Sequence, residues 1–379
     1  MDQKYTVKNI KKNKDHLRMK WGDNFESKFH FLWLRDNCPS AIHPTANMRV
    51  FNILTISSTI FPKEFKVRNE ELEINWSENE HQSKFKLKWL RDHCYTEINN
   101  RKYKSPYILW NNTLKKNFKK IKLDYNKIIE KDTYLKKWLE LLHVYGFAII
   151  KNSPTKKKSG FKILNRISHH RETFFGTPFE VINIPKPNNT AYTAQALRNH
   201  TDLPYFEYAP GYQFLHCLIN DATGGKSSVV DGFAVANYLK KKEKEVFKIL
   251  TTTYVKFKDT DYTQKAIRIL HSPIITLTKD NDFNDIRFSM AAMGTVDVGP
   301  NKMKKFYEAY QYFASLLQNS KFKIDFRLGS GDIFCFNNRR VLHGRTEFDP
   351  NSGGRHLQGY YIERDEIISR LNYFNNINV

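Results

Sequence analysis

Short segments with strand periodicity crowd the C-terminal part of this 379-residue chain, and they constrain its fold more than any other feature. Phe322, Ile324, Phe326 and Leu328 alternate with polar residues, which puts the apolar side chains on one face of an extended segment. Strands are likewise predicted over 212–219, 285–290, 332–337 and 355–362, and Phe147-Ala148-Ile149-Ile150 reads as a buried strand. A helix is predicted from Asp132, as its N-cap, to a stop at Gly146, with Leu135, Trp138, Leu139 and Leu142 at helical spacing. Another is predicted near 302–318, with Phe306, Tyr310, Phe313 and Leu317 on one face. Many short strands flanked by helices predict a mainly β fold with a β-sandwich or jelly-roll core.

The first hundred residues read as a separate, small β-rich domain over 1–105, followed by a larger domain over 106–379. Trp33-Leu34-Arg35-Asp36-Asn37-Cys38 returns as Trp89-Leu90-Arg91-Asp92-His93-Cys94. A single echo is too little for a solenoid, and two similar strand ends in one small sheet would explain it. The Lys-, Asn- and Tyr-rich segment 101–130 reads as a connection.

Charge comes next, because +23 invites a nucleic-acid reading. The excess is spread evenly: residues 1–110 carry 20 Lys and Arg against 13 Asp and Glu, and the rest of the chain has about the same density. Nucleic-acid binders concentrate charge in a patch or stripe, so no nucleic-acid partner is expected. No apolar run approaches the roughly 20 residues of a membrane span, so no membrane partner is expected. The start, MDQKYTVKNIKKNKDHLRMK, lacks the apolar stretch of a secretory signal, and four cysteines do not make a disulfide framework. A soluble cytoplasmic protein is the expectation.

The stretch Asn199-His200-Thr201-Asp202 carries the chemistry. On an extended strand, residues i and i+2 project to one side, so His200 and Asp202 could offer an imidazole and a carboxylate to one point. His343, in Arg340-Val341-Leu342-His343-Gly344-Arg345, is the best third ligand. Two His and one carboxylate leave positions open, which suits non-haem Fe(II) oxygenases. Arg355 follows beyond the turn-rich Asp349-Pro350-Asn351-Ser352-Gly353-Gly354, which predicts a hairpin with His343 on one arm and Arg355 on the other. An arginine there can clamp a carboxylate bidentately.

These motifs, in order, with Gly224-Gly225-Lys226-Ser227, Val230-Asp231-Gly232-Phe233 and Arg355-His356-Leu357, resemble the γ-butyrobetaine hydroxylase and trimethyllysine dioxygenase branch of the taurine-dioxygenase-like Fe(II)/2-oxoglutarate oxygenases. The resemblance covers nearly the whole chain, including Leu34-Arg35-Asp36-Asn37-Cys38 and Asn188-Asn189-Thr190-Ala191-Tyr192-Thr193. It implies a double-stranded β-helix and a homodimer, with 2-oxoglutarate and O2 as co-substrates. It implies that His200, Asp202 and His343 hold Fe(II), that Arg355 grips the C5 carboxylate of 2-oxoglutarate, and that Ser227 offers that co-substrate a hydroxyl.

The resemblance also implies an aromatic cage for a trimethylammonium group, at Phe175, Phe179, Tyr192 and Tyr361, with Asn189 against a substrate carboxylate. Cation–π attraction suits a quaternary ammonium, which has no N–H to donate. Leu203 and the segment Arg287-Phe288-Ser289-Met290-Ala291 depart from the family pattern. Arg287 itself reads as a solvated strand residue. The expected activity is hydroxylation of a small trimethylammonium compound, with γ-butyrobetaine, giving carnitine, placed first. Trimethyllysine, trimethylaminoethyl phosphonate or another betaine is the alternative substrate, and a non-catalytic betaine-binding protein the alternative role.

Zinc-bearing relatives use three cysteines and a histidine in the N-terminal domain. The matching positions here are Cys38, Ser40, His43 and His81, with Cys94 elsewhere. Structural zinc almost always takes four ligands, so the sequence favours a metal-free domain packed by apolar residues.

Overall fold

In the N-terminal unit, alternation of apolar and polar residues builds two small antiparallel sheets, one after the other. The computed structural model describes residues 2–78, 80–96, 105–183 and 192–375, and the chain divides into two compact units, Met1–Lys104 and Ser105–Val379. In the first unit, β1 (Val7–Lys12), β2 (His16–Trp21) and β3 (Glu26–His30) form one three-stranded sheet and lead into the short helix α1 (Phe31–Asp36). The sheet of β4 (Pro62–Arg68), β5 (Glu71–Trp76) and β6 (Gln82–Lys86) leads likewise into α2 (Leu87–Asp92). The repeated Trp-Leu-Arg-Asp motif therefore lies on two helices that follow two separate sheets, and not on strand ends of one sheet. The whole β-β-β-α unit is duplicated. Leu17, Met19 and Trp21 on β2 match Leu72, Ile74 and Trp76 on β5, and all are buried in one shared core. Each tryptophan donates its indole N–H to a serine on the next strand, Trp21 to Ser27 and Trp76 to Ser83, both at 2.8 Å. The second copy also reaches back to the first. Thr96 and Tyr95 hydroxyls accept the backbone N–H groups of Lys28 and His30 on β3, at 2.7 and 2.8 Å.

The second unit is built on two facing sheets. The larger has the order β7 (Lys122–Asp124), β8 (Phe147–Lys151), β18 (Ile333–Asn337), β11 (Tyr212–Asn220), β20 (Arg355–Ile362) and β9 (Phe179–Ile182). The smaller has the order β10 (Leu197–His200), β19 (Val341–Arg345), β12 (Ser227–Asp231) and β17 (Lys323–Phe326). All pairings are antiparallel except β7 with β8. This is a double-stranded β-helix, the jelly-roll core expected of the sequence.

Strand alternation explains why some strands are apolar on both faces. On β8 and β18, Phe147, Ile149, Phe334 and Phe336 point between the sheets, against Val229, Ile324 and Val341. Their neighbours Ala148, Ile150, Ile333 and Cys335 point outward, against the helices α3 (Tyr125–Glu130), α4 (Asp132–Tyr145) and α9 (Arg364–Phe374). Three more helices, α6 (Gly232–Lys242), α7 (Lys244–Thr252) and α8 (Pro300–Gln318), pack with the hairpins β13 (Val255–Asp261)–β14 (Ala266–Ser272) and β15 (Ile275–Leu277)–β16 (Phe283–Ile286) into the remaining core. The short helix α5 (Phe161–Leu164) follows β8.

Several local expectations are corrected. The segment 101–130, read as a connection, carries a 3-10 helix over Asn112–Ile121, then β7 and α3. Asp132 is the first residue of α4, not its cap; its carboxylate binds Arg166 at 2.6 Å. The strand expected over 285–290 ends at Ile286, because the backbone beyond it turns to bond elsewhere: the Phe288 carbonyl accepts from Thr201 N–H at 2.8 Å.

His343 and Arg355 are not on two arms of one hairpin. β19 lies in the four-stranded sheet and β20 in the six-stranded one. The segment between them is tied down by Lys226, Ala194 and Thr223 carbonyls, which accept from Thr346, Phe348 and Asp349, and so carries the chain from one sheet to the other.

Candidate active site

Alternation along β19 and β20 sends the reactive residues into the space between the sheets. Val341 and Leu357 belong to the core there, so His343 faces the same interior from β19, and Arg355 and Tyr361 face it from β20. β10 ends at His200, and Asp202 follows in the loop just beyond it. Ligand atoms of His200, Asp202 and His343 lie within 4.8 Å of one another. His200 Nε2 stands 3.2 Å and His343 Nε2 3.6 Å from the same oxygen, Asp202 Oδ1. His200 Nδ1 is satisfied by the Arg198 carbonyl at 2.9 Å, which turns Nε2 toward the cluster.

The electrostatics favour a cation. Burial alone would raise the Asp202 carboxyl, but His343, His200 and the Tyr361 hydroxyl outweigh it and hold it well below the usual carboxylate range. Burial lowers His343 to about 3, so that imidazole is a neutral donor. Two imidazole nitrogens and one ionised carboxylate converging on one point fit Fe(II).

The surroundings fix this cluster. Asn338 clamps the Asp202 backbone, accepting from its N–H at 2.7 Å and donating to its carbonyl at 3.0 Å. Leu203 follows at φ +52°, a strained left-handed conformation. The loop after it is held by Arg287, whose guanidinium donates to the carbonyls of Pro204, Phe206 and Glu207 and pairs with Asp285 at 3.4 Å. Arg287 is buried, so it is not the solvated strand residue expected of it. Arg340, wholly buried, pairs with Asp231 at 3.0 and 2.8 Å and fixes β12 beside β19.

The cluster opens on a cavity of about 490 Å³. Phe175, Phe179, Tyr192 and Tyr361 line it together with His200 and Asp202. Phe179 stacks on Tyr361 with ring centroids 5.0 Å apart, and Phe175 stands 6.2 Å from Phe179. Gly359 makes that stack possible: a Cβ there would fall 2.0 Å from the Phe179 ring. The Tyr361 hydroxyl donates to Asp202 Oδ2 at 2.7 Å. Burial first, and then Asp202, push that phenol well above its ordinary range, so it keeps its proton.

Arg355 lies over the Gly224–Gly225 turn, where a Cβ on Gly225 would meet its Nε at 3.1 Å. Burial lowers Arg355 to about 10, and it forms no ion pair among the described residues. Ser227 sits on β12 opposite Arg345 of β19. Asn189 lies outside the described residues.

Two family descriptions match this chain. "Taurine catabolism dioxygenase TauD, TfdA family" covers residues 111–361, and "Gamma-butyrobetaine hydroxylase-like, N-terminal" covers residues 8–91. The chain belongs to the TauD/TfdA dioxygenase family. Its second unit is thus the catalytic part of a dioxygenase that uses Fe(II) and 2-oxoglutarate. The γ-butyrobetaine dioxygenase of Pseudomonas sp. (strain AK-1) is 34% identical, over 93% of this chain and 91% of that one. The γ-butyrobetaine dioxygenase of Homo sapiens is 31% identical, over 94% and 93%. The trimethyllysine dioxygenase of Meyerozyma guilliermondii is 28% identical, over 95% and 94%.

Some features of this dioxygenase site escape a reading of the sequence. Tyr205 lines the cavity, and its only signal is an aromatic residue three places after a ligand carboxylate. Tyr361, expected only as a cage ring, also binds a metal-ligand candidate. In the N-terminal unit, Cys38 Sγ lies 3.1 Å from Ser40 Oγ and 3.4 Å from His81 Nε2. His43 turns away, toward Thr45 and Ala46, and Cys94 binds Ser27 at 3.0 Å. Among the described residues no helix is long and apolar enough to cross a membrane.

Proposed function

We propose that this chain hydroxylates a small trimethylammonium compound, and that γ-butyrobetaine, yielding carnitine, is the substrate. The observation that carries this reading is one cavity in which Phe175, Phe179, Tyr192, Tyr205 and Tyr361 stand beside a His–Asp–His cluster. Ring faces attract a desolvated quaternary cation and give it no hydrogen bond to seek. The two γ-butyrobetaine dioxygenases above are 34% and 31% identical to this chain, against 28% for the trimethyllysine dioxygenase, which supports the choice of substrate.

In this reading His200, Asp202 and His343 hold Fe(II), Arg355 on the six-stranded sheet pairs with the C5 carboxylate of 2-oxoglutarate, and Ser227 on the four-stranded sheet offers that co-substrate its hydroxyl. When bound, iron with 2-oxoglutarate and O2 supplies the oxidising power: a C–H becomes C–OH while 2-oxoglutarate loses CO2 and becomes succinate. The protein's own contribution is position. Phe175, Phe179, Tyr192 and Tyr361 fix the trimethylammonium head, and so decide which carbon is presented. Tyr361 keeps the Asp202 carboxylate in place by its hydrogen bond. The family resemblance further supports a homodimer, and the even spread of charge supports the absence of a nucleic-acid partner.

The test is succinate formation across γ-butyrobetaine, trimethyllysine, trimethylaminoethyl phosphonate and related betaines. The reading expects γ-butyrobetaine to be hydroxylated best, and expects His200→Ala to abolish Fe(II)-dependent succinate formation. Binding of betaines with no turnover of 2-oxoglutarate would identify a binding protein instead.

A further inference from the structure

The same cavity carries charge that neither the ring cluster nor the metal cluster uses. On β10, whose register shifts between Leu197 and His200, the Asn199 side-chain amide is taken up within the fold: it donates to the Leu317 carbonyl at 2.9 Å and accepts from Ser228 Oγ at 2.6 Å. The residues on either side of it, Arg198 and His200, both line the cavity. A separation of two residues keeps their α-carbons within about 7 Å of each other, so the Arg198 side chain starts within one substrate length of the metal cluster. Arg198 is exposed and forms no ion pair among the described residues. Lys258 of β13 lines the same cavity, is exposed, and likewise forms no ion pair among them.

The other charges at the cavity are accounted for. Asp202 faces the two histidines, and Asp259 is taken by Arg268 at 2.9 Å. Residues 184–191 contain no Asp or Glu to add a carboxylate. The cavity therefore has two opposite demands: rings that suit a cation, and two uncompensated cations that suit an anion.

We infer that Arg198, supported by Lys258, binds the anionic end of the substrate, a carboxylate or phosphonate, while the rings hold its trimethylammonium head. The inference rests on the trimethylammonium reading and narrows it. It selects a zwitterion whose anionic end carries no free ammonium. An α-amino acid such as trimethyllysine would bring its ammonium up against Arg198 and Lys258, with no free carboxylate among the described lining residues to receive it. Arginine's planar fork can donate two parallel N–H bonds to a carboxylate or phosphonate. The mouth is open to water, so the discrimination is modest, about tenfold for one charge-assisted contact.

The experiment compares kcat/KM for γ-butyrobetaine with kcat/KM for its uncharged carboxamide, in the Fe(II)-loaded full-length protein and in Arg198→Gln. The carboxamide keeps the trimethylammonium head and the chain length and loses only the negative charge. The expected result is a preference of about tenfold for the acid in the native protein. The preference should fall to near unity in Arg198→Gln through KM for the acid, with KM for 2-oxoglutarate unchanged. Arg198→Lys should keep part of the preference, and Lys258→Met should lose a smaller part of it. Equal use of acid and amide by the native protein, or an unchanged preference in Arg198→Gln, overturns the inference and leaves the trimethylammonium reading standing. Failure of the native protein to bind or turn over either compound overturns both.

Discussion

The Tyr361 hydroxyl donates a 2.7 Å hydrogen bond to Asp202 Oδ2, the carboxylate oxygen not shared between the two histidines. One side chain therefore joins the ring wall of the cavity to the metal cluster. Tyr361→Phe keeps the ring and removes only this bond. Metal affinity should fall about tenfold or more, as when other outer partners of metal ligands are removed, while trimethylammonium binding changes little. Tyr361→Leu should lose both. Co(II) titration followed by absorbance, beside a betaine-binding measurement, separates the two effects.

Arg355 is a guanidinium of the interior without an ion-pair partner among the described residues. Arg355→Gln should raise KM for 2-oxoglutarate about a hundredfold, the scale of a lost pair of charge-assisted hydrogen bonds. Gly225→Ala should act in the same direction and less strongly, since its new methyl group would press on Arg355 Nε and φ there is +61°. Succinate formation against 2-oxoglutarate concentration measures both.

Gly359 gives Phe179 its place against Tyr361. In Gly359→Ala the ring must move, because backbone pairing of β9 with β20 fixes the two positions opposite each other. KM for the trimethylammonium substrate should rise several-fold, with KM for 2-oxoglutarate unchanged. An equal rise in both would mean that the whole sheet has shifted.

His216 sets an acid limit on stability. It is fully buried on β11, its Nε2 lies 2.9 Å from Ser153 Oγ, and burial lowers it to about 4. The Ser153 hydroxyl already donates to the Gly331 carbonyl, so the imidazole is the donor to Ser153. In the unfolded chain the group titrates near its ordinary value of about 6.5. The contribution is intact above that value and is lost as pH falls from about 6.5 to about 4, by up to about 3 kcal/mol. Denaturant midpoints at pH 7.5 and pH 5 should differ more in the native protein than in His216→Gln.

The strands were legible where their pattern is local. The expected strand over 355–362 coincides with β20, and the apolar run before His343 is apolar because β18 is buried on both faces. Strand partners were not legible. Nothing in the turn-rich segment after His343 announces that it crosses to the other sheet, because the bonds from Thr346, Phe348 and Asp349 that tie it down go to residues more than a hundred positions away. The histidines and Asp202 could be picked out by type and spacing, and their convergence is a local matter for His200 and Asp202. Their supports were invisible for the same non-local reason. Asn338 clamps Asp202 from 136 positions away, and Arg287 looked solvated because the loop that buries it lies some 80 positions earlier.

β3 is an edge strand of the first small sheet, and its outward N–H groups at Lys28 and His30 are taken by Thr96 and Tyr95 of the second copy of the duplicated unit. An uncovered edge of that kind is a template for pairing with another chain. The later copy therefore acts as a built-in guard for the earlier one, blocking intermolecular strand addition. A fragment ending before residue 95 would keep the first sheet's sequence and lose its protection against self-association.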